Sequence, residues 1–131
     1  MLLIRQAQIS DFPTILDINS TEEEKTSRID LVRIAQLDSW SDYHKVAVVE
    51  DQVVGFLLVM SEASDYDGDN FRWFVERYHR FLYVDRIVID KTYAGRGVGS
   101  ALYRDLIQFA ATQGCPVLCC EINVSPPNPV S

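Results

Sequence analysis

The residues best placed to do chemistry lie in one short run, Ala94-Gly95-Arg96-Gly97-Val98-Gly99-Ser100, between a strand pattern and a helix pattern. Residues 81–89 (FLYVDRIVI) are β-branched and aromatic, as a buried strand requires. From Gly97 to Gln113, Ala101, Leu102, Leu106, Phe109 and Ala110 recur at helical spacing. The glycines therefore fall on the loop and the first helical turn, where backbone N–H groups have no partner inside the helix. A helix start is also the positive end of the peptide dipole and suits phosphate. Glycine at 95, 97 and 99 clears side chains from the path of a bulky pyrophosphate, Arg96 adds a fixed charge, and Ser100 adds a hydroxyl donor. The chemistry is the holding of a phosphorylated ligand. A tight turn with no ligand is the competing reading of the same glycines.

Two other phosphate loops fit less well. A P-loop needs a Gly-Lys pair, and the sequence has none. The dinucleotide fingerprint would need glycine where Ser100 stands, directly after its strand and early in a βαβ unit. Here polar residues intervene, and the run lies deep in the chain.

A second set of chemical groups surrounds this run. Asp85 and Arg86 are charged residues inside an apolar strand, and burying charge is expensive unless the charges are paired or needed. Strict alternation puts Asp85 with Tyr83 and Ile87, and Arg86 on the other face. Upstream, residues 65–70 form a polar turn, and residues 71–78 read as a short helix with Trp73, Phe74 and Tyr78. Aromatic residues beside a polar loop suit an acceptor pocket, and equally suit a connecting helix that closes the core.

The elements that must position these groups follow from periodicity. Residues 2–6 read as a strand, and Ser10-Asp11 with Pro13 as a helix start running to Asn19. Residues 28–40 read as a second helix, with Leu31, Ile34, Ala35 and Leu37 inward. Residues 44–50 and 53–61 are two strands joined tightly through Glu50-Asp51-Gln52. After the glycine run, Gln113-Gly114 ends the helix and Cys115-Pro116 turns the chain into a strand over residues 117–123. A helical crossover makes that strand parallel to residues 81–89. The last residues, 124–131, are Pro-rich and unsuited to regular structure.

At 131 residues the chain reads as a single domain, 1–131, and its 47% apolar fraction is that of a globular protein. It has no apolar run of membrane-spanning length and no signal-peptide pattern, so membrane is not expected as a partner. A net charge of −7 argues against nucleic acid and is compatible with a cationic amine. Cys115, Cys119 and Cys120 are odd in number and too close for a disulfide framework, and His44 and His79 lie too far away to complete a zinc site. The expectation is reduced thiols in a cytoplasmic protein with no metal.

The run from Ile87 to Ser100 resembles the coenzyme A motif of the GNAT superfamily of N-acetyltransferases, with Gly97 and Gly99 as the motif glycines after the strand end Ile87-Val88-Ile89. Ala94 stands where that family often has Gln or Arg. The opening Ile4-Arg5-Gln6-Ala7 strand, the Gly55-Phe56 strand, and the order strand, helix, helix, hairpin are similar to the family as well. A GNAT subgroup of unassigned substrate looks similar at Tyr66, Asp67, Asn70, Trp73 and Phe74, and at residues 81–87.

The resemblance implies an α/β fold. Its central sheet is mixed and mostly antiparallel, with one parallel, splayed strand pair and helices on both faces. The family would continue with another helix and two strands, so either the sequence is shortened or a partner supplies them; a homodimer is one such arrangement. It further implies an acetyl-CoA-dependent N-acetyltransferase acting directly on a small-molecule, amino-acid or peptide amine. The alternative is a non-catalytic acyl-CoA-binding module. The implied cofactor residues are Ile87, Val88, Ile89, Gly95, Arg96, Gly97, Val98, Gly99 and Ser100. The implied catalytic carboxylates are Glu121, as general base, and then Asp85. The implied acceptor contacts are Tyr66, Asn70, Trp73, Tyr83 and Asn123.

Overall fold

A computed structural model describes residues 1–21, 29–115 and 117–120. Five strands form one sheet in the order β1 (Leu2–Gln6), β2 (Tyr43–Val49), β3 (Gln52–Ser61), β4 (Leu82–Ile89) and β5 (Leu118–Cys120). The first four are antiparallel, and β5 runs parallel to β4, as the helical crossover requires. Helices α1 (Phe12–Ser20), α2 (Leu31–Trp40) and α3 (Asp69–Arg77) cover one face, and α4 (Val98–Thr112) covers the other. The mixed sheet with helices on both faces is the expected fold class.

Each face has its own core. Under α4, Leu102 and Leu106 pack on Leu57, Val59, Leu82 and Val84. On the opposite face Ile15, Ile18 and Ile34 pack on Val46, Phe56 and Val88, while Leu37 and Phe71 close over Leu58, Phe81 and Tyr83. The central strand β3 is buried on both sides from Val54 to Met60, which is why its sequence is continuously apolar instead of alternating.

Local chemistry sets the element ends. Asp30 accepts a hydrogen bond from the Arg33 N–H at 2.8 Å and starts α2 at Leu31, three residues later than the hydrophobic pattern predicts. The β2–β3 connection is a two-residue turn. Val49 pairs with Gln52, and Glu50 and Asp51 both hold left-handed φ, 51° and 65°. That conformation matches the twist of the flanking strands although no glycine is present. Asp11 does not cap α1 with its side chain. It turns back to accept two bonds from Arg5, at 2.8 and 2.9 Å, and one from the Gln8 N–H at 2.8 Å, tying β1 to the helix start.

The register of β4 departs from alternation. Leu58 pairs with Arg86 and Val59 with Val84, so Asp85 is the extra residue of a bulge. Tyr83, Asp85, Arg86 and Val88 consequently face α1–α3, while Val84, Ile87 and Ile89 face α4. The expected placement of Arg86 opposite Asp85, and of Ile87 beside it, is corrected by this one inserted residue.

Candidate coenzyme and acyl-transfer site

The site begins where β4 ends. Ile87, Val88 and Ile89 pair with Leu57, Phe56 and Gly55 of β3. On its other side β4 pairs with β5 through Leu82, Tyr83 and Val84, opposite Leu118, Cys119 and Cys120. Among the described residues, no strand lies against Ile87, Val88 and Ile89 on that side.

The chain then leaves the sheet. The Asp90 N–H donates to the Val54 carbonyl at 2.8 Å, and the Asp90 carboxylate accepts from the Thr92 N–H at 2.9 Å, so a single 3-10 turn (Lys91–Tyr93) forms. Gly95 and Gly97 hold φ of 77° and 81°, the left-handed region that glycine enters without strain. A Cβ at either position would meet nothing within 4 Å, so these glycines are set by backbone angle and by open space in front of them. Gly97 is the N-cap residue of α4, and no side chain among the described residues caps the helix. The first internal bond is from the Ala101 N–H to the Gly97 carbonyl, so the amides of Val98, Gly99 and Ser100 are left to an outside acceptor. Arg96 is exposed, its guanidinium 5.3 Å from the centre of the Tyr93 ring. Val98 is buried and anchors the helix start, leaving only its backbone to a ligand.

This arrangement fits a pyrophosphate: an uncapped start to a 15-residue helix, glycines without obstruction, and an exposed cation. A neighbouring cleft of about 610 Å³ does not, because Asp17, Asp51 and Asp90 line it beside the mutually paired Arg5 and Asp11, and would repel an anion.

The remaining predicted residues fall into separate places. Asp85 and Tyr66 come together: the Tyr66 hydroxyl donates to Asp85 Oδ1, and Arg86 Nε donates to Asp85 Oδ2 at 2.8 Å. The Asp85 side chain is 4% exposed. Tyr83 is a core residue, packed against Tyr66, Phe71 and Phe74, and not a wall open to an amine. Asn70 and Trp73 lie exposed on α3, with the Arg77 guanidinium 3.9 Å from the Trp73 ring centre. Glu121 and Asn123 lie outside the described residues. Cys115 is a free, half-buried thiol that donates to the Val117 carbonyl at 3.4 Å.

Sequence reasoning missed what supports Tyr66. Trp40 packs on its ring, Arg33 pairs with Asp67 at 2.8 Å, and Gly68 leaves the space its ring fills. A glycine two residues after a tyrosine in a polar turn was the only local signal.

A mixed sheet flanked by helices on both faces, with a glycine-rich strand–loop–helix at the end of β4, defines an α/β domain. The sequence matches the Acetyltransferase (GNAT) family over residues 4–131, and the chain belongs to that family; it is an acyltransferase. Solved structures share the fold. The BH1408 protein from Bacillus halodurans, in a tetramutant form, is 13% identical with a TM-score of 0.74, over 92% of this chain and 83% of that one. Ribosomal-protein-alanine N-acetyltransferase from Brucella melitensis is 25% identical with a TM-score of 0.66, over 90% of this chain and 72% of that one. An aminoglycoside acetyltransferase from an uncultured soil metagenomic sample, in complex with sisomicin, is 19% identical with a TM-score of 0.65, over 93% of this chain and 78% of that one. No protein of curated function matches the sequence. Among the described residues, no helix is long and apolar enough to cross a membrane.

Proposed function

We propose that this acyltransferase moves an acetyl group from acetyl-CoA to a primary amine of a small molecule, amino acid or peptide, by direct transfer. The observation that carries the reading is the uncapped α4 start with Gly95 and Gly97 in left-handed conformation, immediately after β4. Acetyl-CoA supplies an acyl group already activated as a thioester. The chain's own residues bind, orient and move a proton. The amides of Gly97, Val98, Gly99 and Ser100, with Arg96, hold the pyrophosphate. The backbone of Ile87, Val88 and Ile89 pairs with the pantetheine amides as an added strand would. An N–H of that segment faces the carbonyl oxygen on which negative charge develops. Glu121 accepts the amine's proton, directly or through one water. Asn70 and Trp73 face the acceptor. The amine class is supported by the two named neighbours, one a ribosomal-protein-alanine N-acetyltransferase and the other an aminoglycoside acetyltransferase crystallised with sisomicin.

Calorimetry with acetyl-CoA, with NAD as control, tests the coenzyme. Thiol release across a panel of amines tests turnover. Glu121→Gln is expected to bind acetyl-CoA normally and to release thiol far more slowly. Binding without thiol release on any amine, in the unsubstituted protein, would instead make the chain an acyl-CoA-binding module.

A further inference from the structure

We propose that Tyr66 is a positioning residue for acyl transfer: through Asp85 and Arg86 it fixes the bulge of β4, and with it the backbone of Ile87, Val88 and Ile89 that faces the thioester carbonyl. The proposal rests on the acetyl-CoA reading given above.

The bulge puts two opposite charges on one face of the strand, where alternation would separate them. Their side chains are 6% (Arg86) and 4% (Asp85) exposed, so both charges are withdrawn from water. Each is answered inside the protein. Asp85 accepts from Tyr66 on one oxygen and from Arg86 on the other, and Arg86 Nη1 donates to Asn19 Oδ1 of α1 at 3.2 Å. Buried ion pairs in proteins often repay little more than their desolvation, and apolar replacements are often as stable. The polar chain therefore makes sense as a device for geometry. It pins an inserted residue two positions ahead of Ile87, and a shift in that residue re-aims everything downstream of it.

Tyr66 is held as firmly as its target. Its ring lies against Trp40 of α2, Phe71 of α3 and Tyr83 of β4, with centroids 6.0, 5.5 and 6.1 Å away. Its N–H donates to Ser64 Oγ at 3.1 Å, and Ser64 Oγ donates to the Trp40 carbonyl at 2.8 Å. A Cβ on Gly68 would lie 2.7 Å from the Tyr66 ring, so glycine there is what lets the ring seat. Burial, and then the Asp85 carboxylate, hold the hydroxyl's pKa far above the ordinary tyrosine value, so it stays protonated and donates to Asp85.

The test uses acetyl-CoA labelled with carbon-13 at the thioester carbonyl and the full chain. In the unsubstituted protein the bound carbonyl resonance is expected downfield of the free one, as for a carbonyl polarised by a fixed donor. Tyr66→Phe keeps the ring and loses only the hydroxyl. It is expected to bind acetyl-CoA within about twofold of the unsubstituted affinity, because the pyrophosphate contacts are untouched, yet to lose most of the downfield shift. Gly68→Ala, which keeps the hydroxyl but crowds the ring, is expected to lose the shift in the same way, and it carries the test if Tyr66→Phe does not fold. A full downfield shift in the folded variants, or no downfield shift in the unsubstituted complex, overturns the positioning role alone. No binding of acetyl-CoA by the unsubstituted protein overturns the coenzyme reading, and this proposal falls with it.

Discussion

Asp11 shows how one carboxylate can organise a chain end. Its side chain is 8% exposed, and three donors from Arg5 and Gln8 surround it. The Arg5 hydrogen bonds hold its pKa below the ordinary aspartate value despite burial. A depressed folded pKa means that the stabilisation is complete above the unfolded pKa of about 3.9 and is lost as pH falls through the folded value. Asp11→Asn is therefore expected to lower stability at pH 7 by about 2 kcal/mol and to flatten the acid limb of a stability–pH curve measured by urea unfolding. An equal loss at pH 7 and pH 2 would show that the charge is not the source. The motif glycines separate by sign in the same way. Gly97→Ala is expected to destabilise the free protein by about 1 kcal/mol through its left-handed φ alone, since nothing lies near the new methyl. Gly99 has no such φ, and its Cβ would stand 4.0 Å from Ile89 Cγ1, beside the strand segment assigned to the coenzyme. Gly99→Ala is expected to stabilise the free protein by about 0.5–1 kcal/mol and to weaken coenzyme A about tenfold, read by thermal unfolding and calorimetry together. Gly95 and Gly97 were legible in the sequence because a turn that takes left-handed backbone ahead of a helix favours glycine.

At the scale of elements, the close approach of β3, β4 and α4 depends on Gly55. A Cβ there would lie 2.8 Å from Ile89 Cδ1 and 3.1 Å from the Val88 carbonyl oxygen. The isoleucine tip can swing away, but the carbonyl belongs to the sheet. Gly55→Ala is expected to cost about 1–3 kcal/mol in urea unfolding and to weaken coenzyme A as well, because relief requires the end of β4 to move. Unchanged coenzyme affinity in a destabilised Gly55→Ala would separate the strand end from the site. The elements themselves were readable from periodicity, since helices and strands bury faces with different repeats. Two features were not. The β4 bulge breaks the alternation from which faces are inferred, so strict alternation puts Arg86 and Ile87 on the wrong sides. The partnership of Tyr66 with Asp85 spans 19 positions and left no local trace.

At the scale of the whole molecule, α4 is the one helix among the described residues on its face of the sheet, and its first turn is also the proposed ligand cradle. Binding there should be felt as global stability, because a ligand that grips the folded form and not the unfolded chain adds RT ln(1 + [L]/Kd). At about 100 times Kd this is about 2.7 kcal/mol. With an unfolding entropy of about 2.1 cal/mol/K per residue, a chain of this length is expected to gain about 10 °C in Tm. The rise should continue with the logarithm of coenzyme A concentration beyond saturation, which an effect of ionic strength would not do. NAD, which offers a pyrophosphate without the pantetheine arm, is expected to give a much smaller rise, since only part of the site engages it. Equal shifts from the two compounds would mean that the helix start binds any pyrophosphate and that the β4 edge contributes nothing to recognition. A coenzyme-specific rise that disappears in Gly99→Glu, in a protein whose unliganded Tm is preserved, would tie the effect to the first turn of α4.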